Sequence, residues 1–243
     1  MKNSSLQVLA LVALFAGAFV AGGAAQRATG YRPPDVHQDE TPGTEWIKRL
    51  ERPSRIPGLR IDDVIAALQL KPGMVVADIG AGSGAFTIPF ARAVAPSGTA
   101  FAVDIWQEQL DYIAGKARQA NLATLRTILA ARDNPRLPPD TVDVAFFHDV
   151  FHNVNDRQAY LQVLAAQLKP GGRIAIVEQE FNDPIAKKWD RPEDRITPEQ
   201  VNGWMENVGF RLLATFDMFQ GANNPRGADM PERWFVVYGR RAS

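Results

Sequence analysis

The sequence predicts an α/β fold: a seven-stranded sheet, mostly parallel, with an antiparallel terminal strand pair and helices on both faces. Three observations predict it. Short, nearly continuous apolar runs alternate with helical patterns from residue 61 to residue 209, as expected of strands buried on both faces and joined by crossover helices. The last two strand-like runs, "FRLLATFDMF" and "RWFVVYGR", have no helix between them and most simply pair antiparallel. The first strand ends in the glycine-rich turn of "VADIGAGSGA", which feeds a helix, the arrangement that places a ligand at the carboxyl edge of such a sheet.

The first regular element is a helix at "IDDVIAALQL". Ile61, Val64, Ile65 and Leu68 share one face, Asp62 and Asp63 sit in the first turn where the helix dipole favours acids, and Lys71-Pro72-Gly73 stops it. Met74–Ile79 is the first strand and about 84–95 a helix. Strand 99–105 precedes helix Gln107–Ala120; strands 125–131 and 142–147 follow. Helix Asp156–Leu168 is ended by "KPGG", strand 173–179 follows, and helix Pro198–Val208 is ended by Gly209.

Bulk properties remove several function classes. Lysines plus arginines and aspartates plus glutamates number 27 each, so no global positive field exists to hold a nucleic-acid backbone. With no cysteine, disulfides, thiolate metal sites and cysteine nucleophiles are excluded. Residues 1–25 carry one charge, Lys2, then an apolar run from Leu6 and a small-residue end with Gly23-x-Ala25, the layout of a secretory signal peptide. The alternative is an uncleaved anchor, since the run approaches the ~20 residues that span a bilayer. The domain is therefore expected in the periplasm or outside the cell, or anchored to a membrane through this segment alone. Residues 26–60 read as a flexible linker and a lid: 26–45 are rich in Pro, Gly and charge, and "WIKRLERPSRIPGLR" offers Trp46, Arg49, Arg52 and Arg55 to a substrate or simply wraps the domain. Residues 61–243 form the single folded domain.

Glycines in Gly80–Gly84 permit positive φ and close approach of a ligand to the backbone, and Asp104, ending the second strand, suits both hydroxyls of a ribose. Gly80-x-Gly82-x-x-Ala85 satisfies the dinucleotide fingerprint, whereas a P-loop is excluded because no Gly-Lys-Ser/Thr follows. Asp78, two residues before the first glycine, favours a positively charged amino-acid end over a pyrophosphate, which it would repel.

Together these residues resemble the class I S-adenosylmethionine-dependent methyltransferases, a Rossmann-like family. "VVADIGAGSGAF" looks like the family's first motif, "FAVDI" like its acidic strand end, "LAARDNPRLPPDTVDVAF" like its adenine-contact segment and "LKPGGRIAIVE" like the turn into the fifth strand; the likeness covers about residues 60–240. The resemblance implies S-adenosyl-L-methionine as cofactor. It implies that Asp78 meets the methionine amino group and that Gly80, Ala81 and Gly82 let the chain pass close. It implies further that Asp104 takes the ribose, that Ile105 packs on the adenine, and that Asp133, with Asn134 beside it, accepts from the adenine amino group. The alternative for Asp133 is a turn before Pro135.

Methyl transfer is an in-line displacement that aligns the nucleophile and, for a hydroxyl or ammonium, removes a proton. "FFHDVFHNVND", at the end of the fourth strand, carries the catalytic candidates His148, Asp149 and His152. His148 is read as a general base oriented by a nearby carboxylate, or as packing against the cofactor's sulfur side. A metal held by the histidines with Asp149, Glu178, Glu180 and Asp183 does not reproduce the pattern of cation-dependent relatives, so no metal is expected. The family's usual motif for methylating amino groups of nucleic-acid bases and glutamine, Asn/Asp-Pro-Pro-Tyr/Phe, does not follow the fourth strand, so the resemblance implies a small-molecule acceptor methylated on O, S or N. The other classes to weigh are a non-catalytic ligand-binding protein on this fold and an NAD(P)-dependent oxidoreductase.

Overall fold

The computed structural model describes residues 42–180, 196–224 and 232–241. The signal-like segment 1–25, most of the linker and Asp183 lie outside them. Seven strands form one sheet in the order β3-β2-β1-β4-β5-β7-β6. They are β1 (Val75–Ile79), β2 (Thr99–Asp104), β3 (Leu125–Leu129), β4 (Val142–His148), β5 (Leu168–Gln179), β6 (Phe210–Phe216) and β7 (Arg233–Arg240). The first five pair in parallel, and β7 runs antiparallel between β5 and β6. The expected sheet and its antiparallel terminal pair are therefore present.

Six helices are described: α1 (Pro42–Leu50), α2 (Ile61–Leu68), α3 (Thr87–Ala93), α4 (Gln107–Gln119), α5 (Arg157–Gln167) and α6 (Pro198–Asn207). Two start where their sequence supplies a cap. Asp156 accepts the Ala159 N–H at 3.0 Å, and Thr197 with Gln200 makes a reciprocal capping box that satisfies two otherwise unpaired donors.

Alternation along the strands sorts the core into two layers. Val76, Ala102, Phe146, Val177 and Phe235 face one side, packed under α2, α3 and α4. Ala77, Val103, Phe147, Ile176 and Trp234 face the other, packed under α5 and α6.

Two boundaries differ from the sequence reading. Residues 42–50 form a helix where a linker was expected up to residue 45: the element is short, and its apolar residues Trp46, Ile47 and Leu50 are too few to show a period. It packs against α4. The "KPGG" turn lies inside a strand, because Leu168 pairs with Val142 and an irregularity absorbs the glycines before Arg173 pairs with Val144.

Candidate functional site

The site grows from the turn after β1. Gly80 and Gly82 have φ of 71° and 57°, in the left-handed region where a side chain is strained. Both are also crowded. A Cβ on Gly80 would stand 2.4 Å from Val150 Cγ2, and one on Gly82 would stand 2.7 Å from Leu50 Cδ1. The backbone N–H groups of Gly80 and Ala81 both donate to the Val103 carbonyl, at 2.8 and 3.1 Å, which ties the turn to β2. Ala81 is buried among the core residues beside the turn.

Asp104 braces this turn from the end of β2. Its Oδ2 accepts the Gly82 N–H at 2.9 Å, and its Oδ1 accepts the Trp106 N–H at 3.0 Å. Gln109 of α4, with its amide nitrogen turned to the loop, donates to Oδ2 at 3.1 Å and to the Gly82 carbonyl at 3.2 Å. Burial pushes the Asp104 carboxyl above its ordinary range, opposed by these backbone donors. A carboxylate has about four acceptor sites. Backbone N–H groups of Gly82, Trp106 and Ile105 together with Gln109 already use them, so a ribose hydroxyl would displace Gln109. Ile105 follows, half-exposed.

Asp78 lies one strand over, on the same face of the sheet as Asp104 by strand alternation. It is buried and accepts the Thr87 hydroxyl. Burial, with help from Asp104 nearby, pushes its carboxyl up to about 7, against the Thr87 hydrogen bond and Arg55. A cation set against Asp78 would restore its charge, so the residue fits an ammonium group.

Continuing along that face, His148 ends β4 and Arg233 opens β7. The His148 ring lies among Phe86, Phe146 and Phe219, with centroids at 4.9, 6.3 and 6.3 Å. Its Nδ1 is 3.5 Å from Asp149 Oδ2. Asp149 is itself held by Arg233, whose Nε and Nη2 donate to the two carboxylate oxygens at 2.7 and 2.8 Å. Asp149 takes a left-handed φ of 53°. Its geometry is that of a clasp between β4 and β7. Arg55 reaches the same cluster and feels the charges of Asp149, Arg233, Glu51 and Asp78; burial lowers its affinity for its proton.

His152 stands apart, in a short 3-10 turn, Phe151–Asn153. Its Nδ1 is 2.9 Å from Glu178 Oε2, and Glu178 Oε1 accepts the His152 backbone N–H at 3.2 Å. A carboxylate only accepts, so Nδ1 carries the proton and Nε2, 3.1 Å from Asn153 Nδ2, is the basic nitrogen. Glu178 is buried and alternates with Val177, so it faces the α5 and α6 side. The two histidines are thus on opposite faces. The structure joins His148 with Asp78, Arg55 and Asp149, and separates it from His152.

The remaining sequence candidates are placed as follows. Asp133 is exposed at the tip of a tight turn closed by Ala131 and Asn134, and the Asn134 side chain accepts from the Arg136 N–H and the Gln167 amide. Ala130 donates to the Asp104 carbonyl at 2.8 Å, which brings the strand preceding this turn beside Asp104. Trp46 packs under the Arg49 guanidinium, 5.5 Å away, on α1. Among the described residues no three histidines or acids are grouped to hold a metal ion. Sequence reasoning missed Arg233, Leu50, Val150 and Gln109. An arginine opening an otherwise apolar strand was a signal for the first; nothing local marks the others.

Residues 77–176 match the family described as a methyltransferase domain. Curated relatives include the ubiquinone/menaquinone biosynthesis C-methyltransferases UbiE of Vibrio vulnificus and Burkholderia cenocepacia. The first is 28% identical over 132 residues, 53% of this chain and 51% of the relative. The second is 29% identical over 135 residues, 55% of each. The chain spans about half the length of the curated relatives it matches. Among solved structures, a SAM dependent methyltransferase from Aquifex aeolicus superposes with a TM-score of 0.68 at 24% identity, over 80% of this chain and 97% of that one. A cyclase, SpnF, superposes with a TM-score of 0.62 at 15% identity, over 76% and 81%. These likenesses show the fold. The matched segment contains the glycine turn, Asp104 and the end of β4.

Proposed function

We propose that this chain, an S-adenosylmethionine-dependent methyltransferase by its matched domain and its fold, methylates a small quinone-type or phenolic acceptor. The observation that carries the reading is the polar row Asp104, Asp78 and His148 at the carboxyl ends of β2, β1 and β4, all inside the matched segment. The first two supply a ribose acceptor and a partner for an ammonium group beside the glycine turn. When bound, the cofactor supplies an electrophilic methyl group.

The acceptor class is supported by the relatives' names, which cite ubiquinone and menaquinone biosynthesis. Those names add carbon to the O, S and N atoms considered from the sequence. Acceptors of this class surrender a proton, and the His152–Glu178 pair has the geometry of an oriented general base. His148, enclosed by aromatic rings, packs the floor of the cofactor row.

The N-terminal segment is proposed to export or anchor the domain, which would put it where apolar acceptors partition. Among the described residues no helix is long and apolar enough to cross a membrane. The test is transfer of a labelled methyl group from S-adenosylmethionine to hydroquinone, catechol and thiol acceptors by the full chain. Transfer to the ring acceptors supports the reading; transfer to thiols alone overturns the acceptor class, and no transfer to any acceptor overturns the activity.

A further inference from the structure

Beyond His148 the carboxyl edge of the sheet continues onto β5 and β7. His148 pairs with Val177 of β5, so Gln179, two residues on and the last of its strand, stands on the same face as His148 and Asp78. Arg233 of β7 is the cross-strand partner of Gln179. The connection between β6 and β7 closes this corner. The Phe219 carbonyl accepts the Arg233 N–H at 3.3 Å, and the Phe219 ring meets the His148 ring edge-on, at 76° and 6.3 Å between centroids. Arg60, just before α2, pins the same connection by donating to the Met218 and Asn223 carbonyls at 2.7 and 3.2 Å.

One atom in this corner lacks what its burial demands. Gln179 Oε1 is buried and accepts no hydrogen bond, although the residue as a whole is half-buried. An amide oxygen taken out of water without a donor is destabilising, and a ligand that brings a donor recovers the loss. The neighbours decide which donor fits. Arg233 and Asp149 are engaged with each other bidentately. A cationic donor would meet the Arg233 guanidinium across the strands and the charge of Arg55, which is felt in the same cluster. The donor that fits is therefore an uncharged O–H or N–H. With the Phe219 and His148 rings beside it, the body that carries this donor is a flat ring.

We infer, on the acceptor class proposed above, that Gln179 binds a ring hydroxyl of the methyl acceptor, with Phe219 packed against the ring. This pair selects hydroxylated rings over rings that carry no donor. The row then divides by position. Asp104 and Asp78 lie on the cofactor's side of His148, and Gln179 and Phe219 lie on the acceptor's side.

The test uses the full chain saturated with S-adenosylhomocysteine, titrated by calorimetry with hydroquinone and with its dimethyl ether, the same ring without O–H donors. Wild-type protein is expected to bind hydroquinone more tightly. Gln179→Met is expected to weaken hydroquinone about tenfold, the loss of one neutral hydrogen bond, and to leave the ether and S-adenosylhomocysteine unchanged. Phe219→Leu is expected to weaken both rings alike, by about fivefold. Gln179→Glu keeps an accepting oxygen and is expected to retain the preference; it decides the matter where Gln179→Met no longer binds S-adenosylhomocysteine. An unchanged preference in Gln179→Met, or its loss in Gln179→Glu as well, overturns the subsite. Wild-type binding of both rings without preference does the same and leaves the acceptor class standing. Failure of the wild-type complex to bind either ring overturns the acceptor class and the subsite with it. Failure to bind S-adenosylhomocysteine overturns the methyltransferase reading beneath both.

Discussion

His148 and His152 are four residues apart in the chain and occupy opposite faces of the sheet. His148 ends β4 on the side of Phe86 and Phe146, in line with Asp78 and Asp104. His152 lies beyond a left-handed residue, Asp149, and a 3-10 turn, and docks on buried Glu178 toward α5. The first ring is packed by aromatic neighbours and touched at 3.5 Å by a carboxylate already claimed by Arg233. The second has a carboxylate that orients it through two contacts. Similar spacing thus yields two environments, one suited to holding a cofactor row in place and one suited to accepting a proton.

Substitutions at the two rings separate these roles. His152→Asn is expected to lower kcat by about 100-fold, a typical loss on removing a general base. Glu178→Gln is expected to lower it less, because an amide can still accept the Nδ1 proton but no longer stabilises the imidazolium by charge. A kcat loss at His148→Phe with none at His152→Asn would exchange the two assignments.

Asp104→Ala comes next, with about 30-fold weaker S-adenosylmethionine binding by calorimetry and a loosened glycine turn, since Gly82, Trp106 and Gln109 all lose their acceptor.

The pH dependence of binding is smaller and has a definite sign. Asp78 is held at about 7, with Thr87, Asp104 and Arg55 as the groups facing it. Binding of an ammonium group requires its ionised form, so affinity is expected to rise roughly tenfold from pH 6 to pH 8 and to level off above. Without ligand the sign is opposite. A folded-state value raised above the ordinary 3.8 gives stability that is complete below about pH 4 and lost as pH rises through about 7. Asp78→Asn is expected to remove both dependences, which thermal melts and calorimetry at the two pH values would check.

The smallest effect is expected at His148→Phe, within about threefold in kcat, because one planar ring replaces another among aromatic neighbours.

Much of the fold was legible because its signals are local. The apolar runs of β1, β2 and β4, the Lys71-Pro72-Gly73 stop after α2, and the glycines before α3 each announce themselves within a few residues. Asp78 and Asp104 were legible for the same reason, being the acids that end buried strands. What was hidden depends on residues far apart in sequence. Arg233 meets Asp149 across 84 positions, and Leu50 covers Gly82 from a helix too short to show a period. The separation of the two histidines turns on the φ of Asp149, a non-glycine residue in a conformation no sequence pattern marks.

The account stands on the glycine turn, Asp104 and Asp78 forming a site for S-adenosylmethionine rather than for a dinucleotide. Calorimetric titration of the full chain with S-adenosylmethionine and with NADH tests this most directly. Saturable binding of S-adenosylmethionine with no heat from NADH is the expected result. Binding of NADH alone would contradict the account, because it would require a pyrophosphate to sit beside buried Asp78.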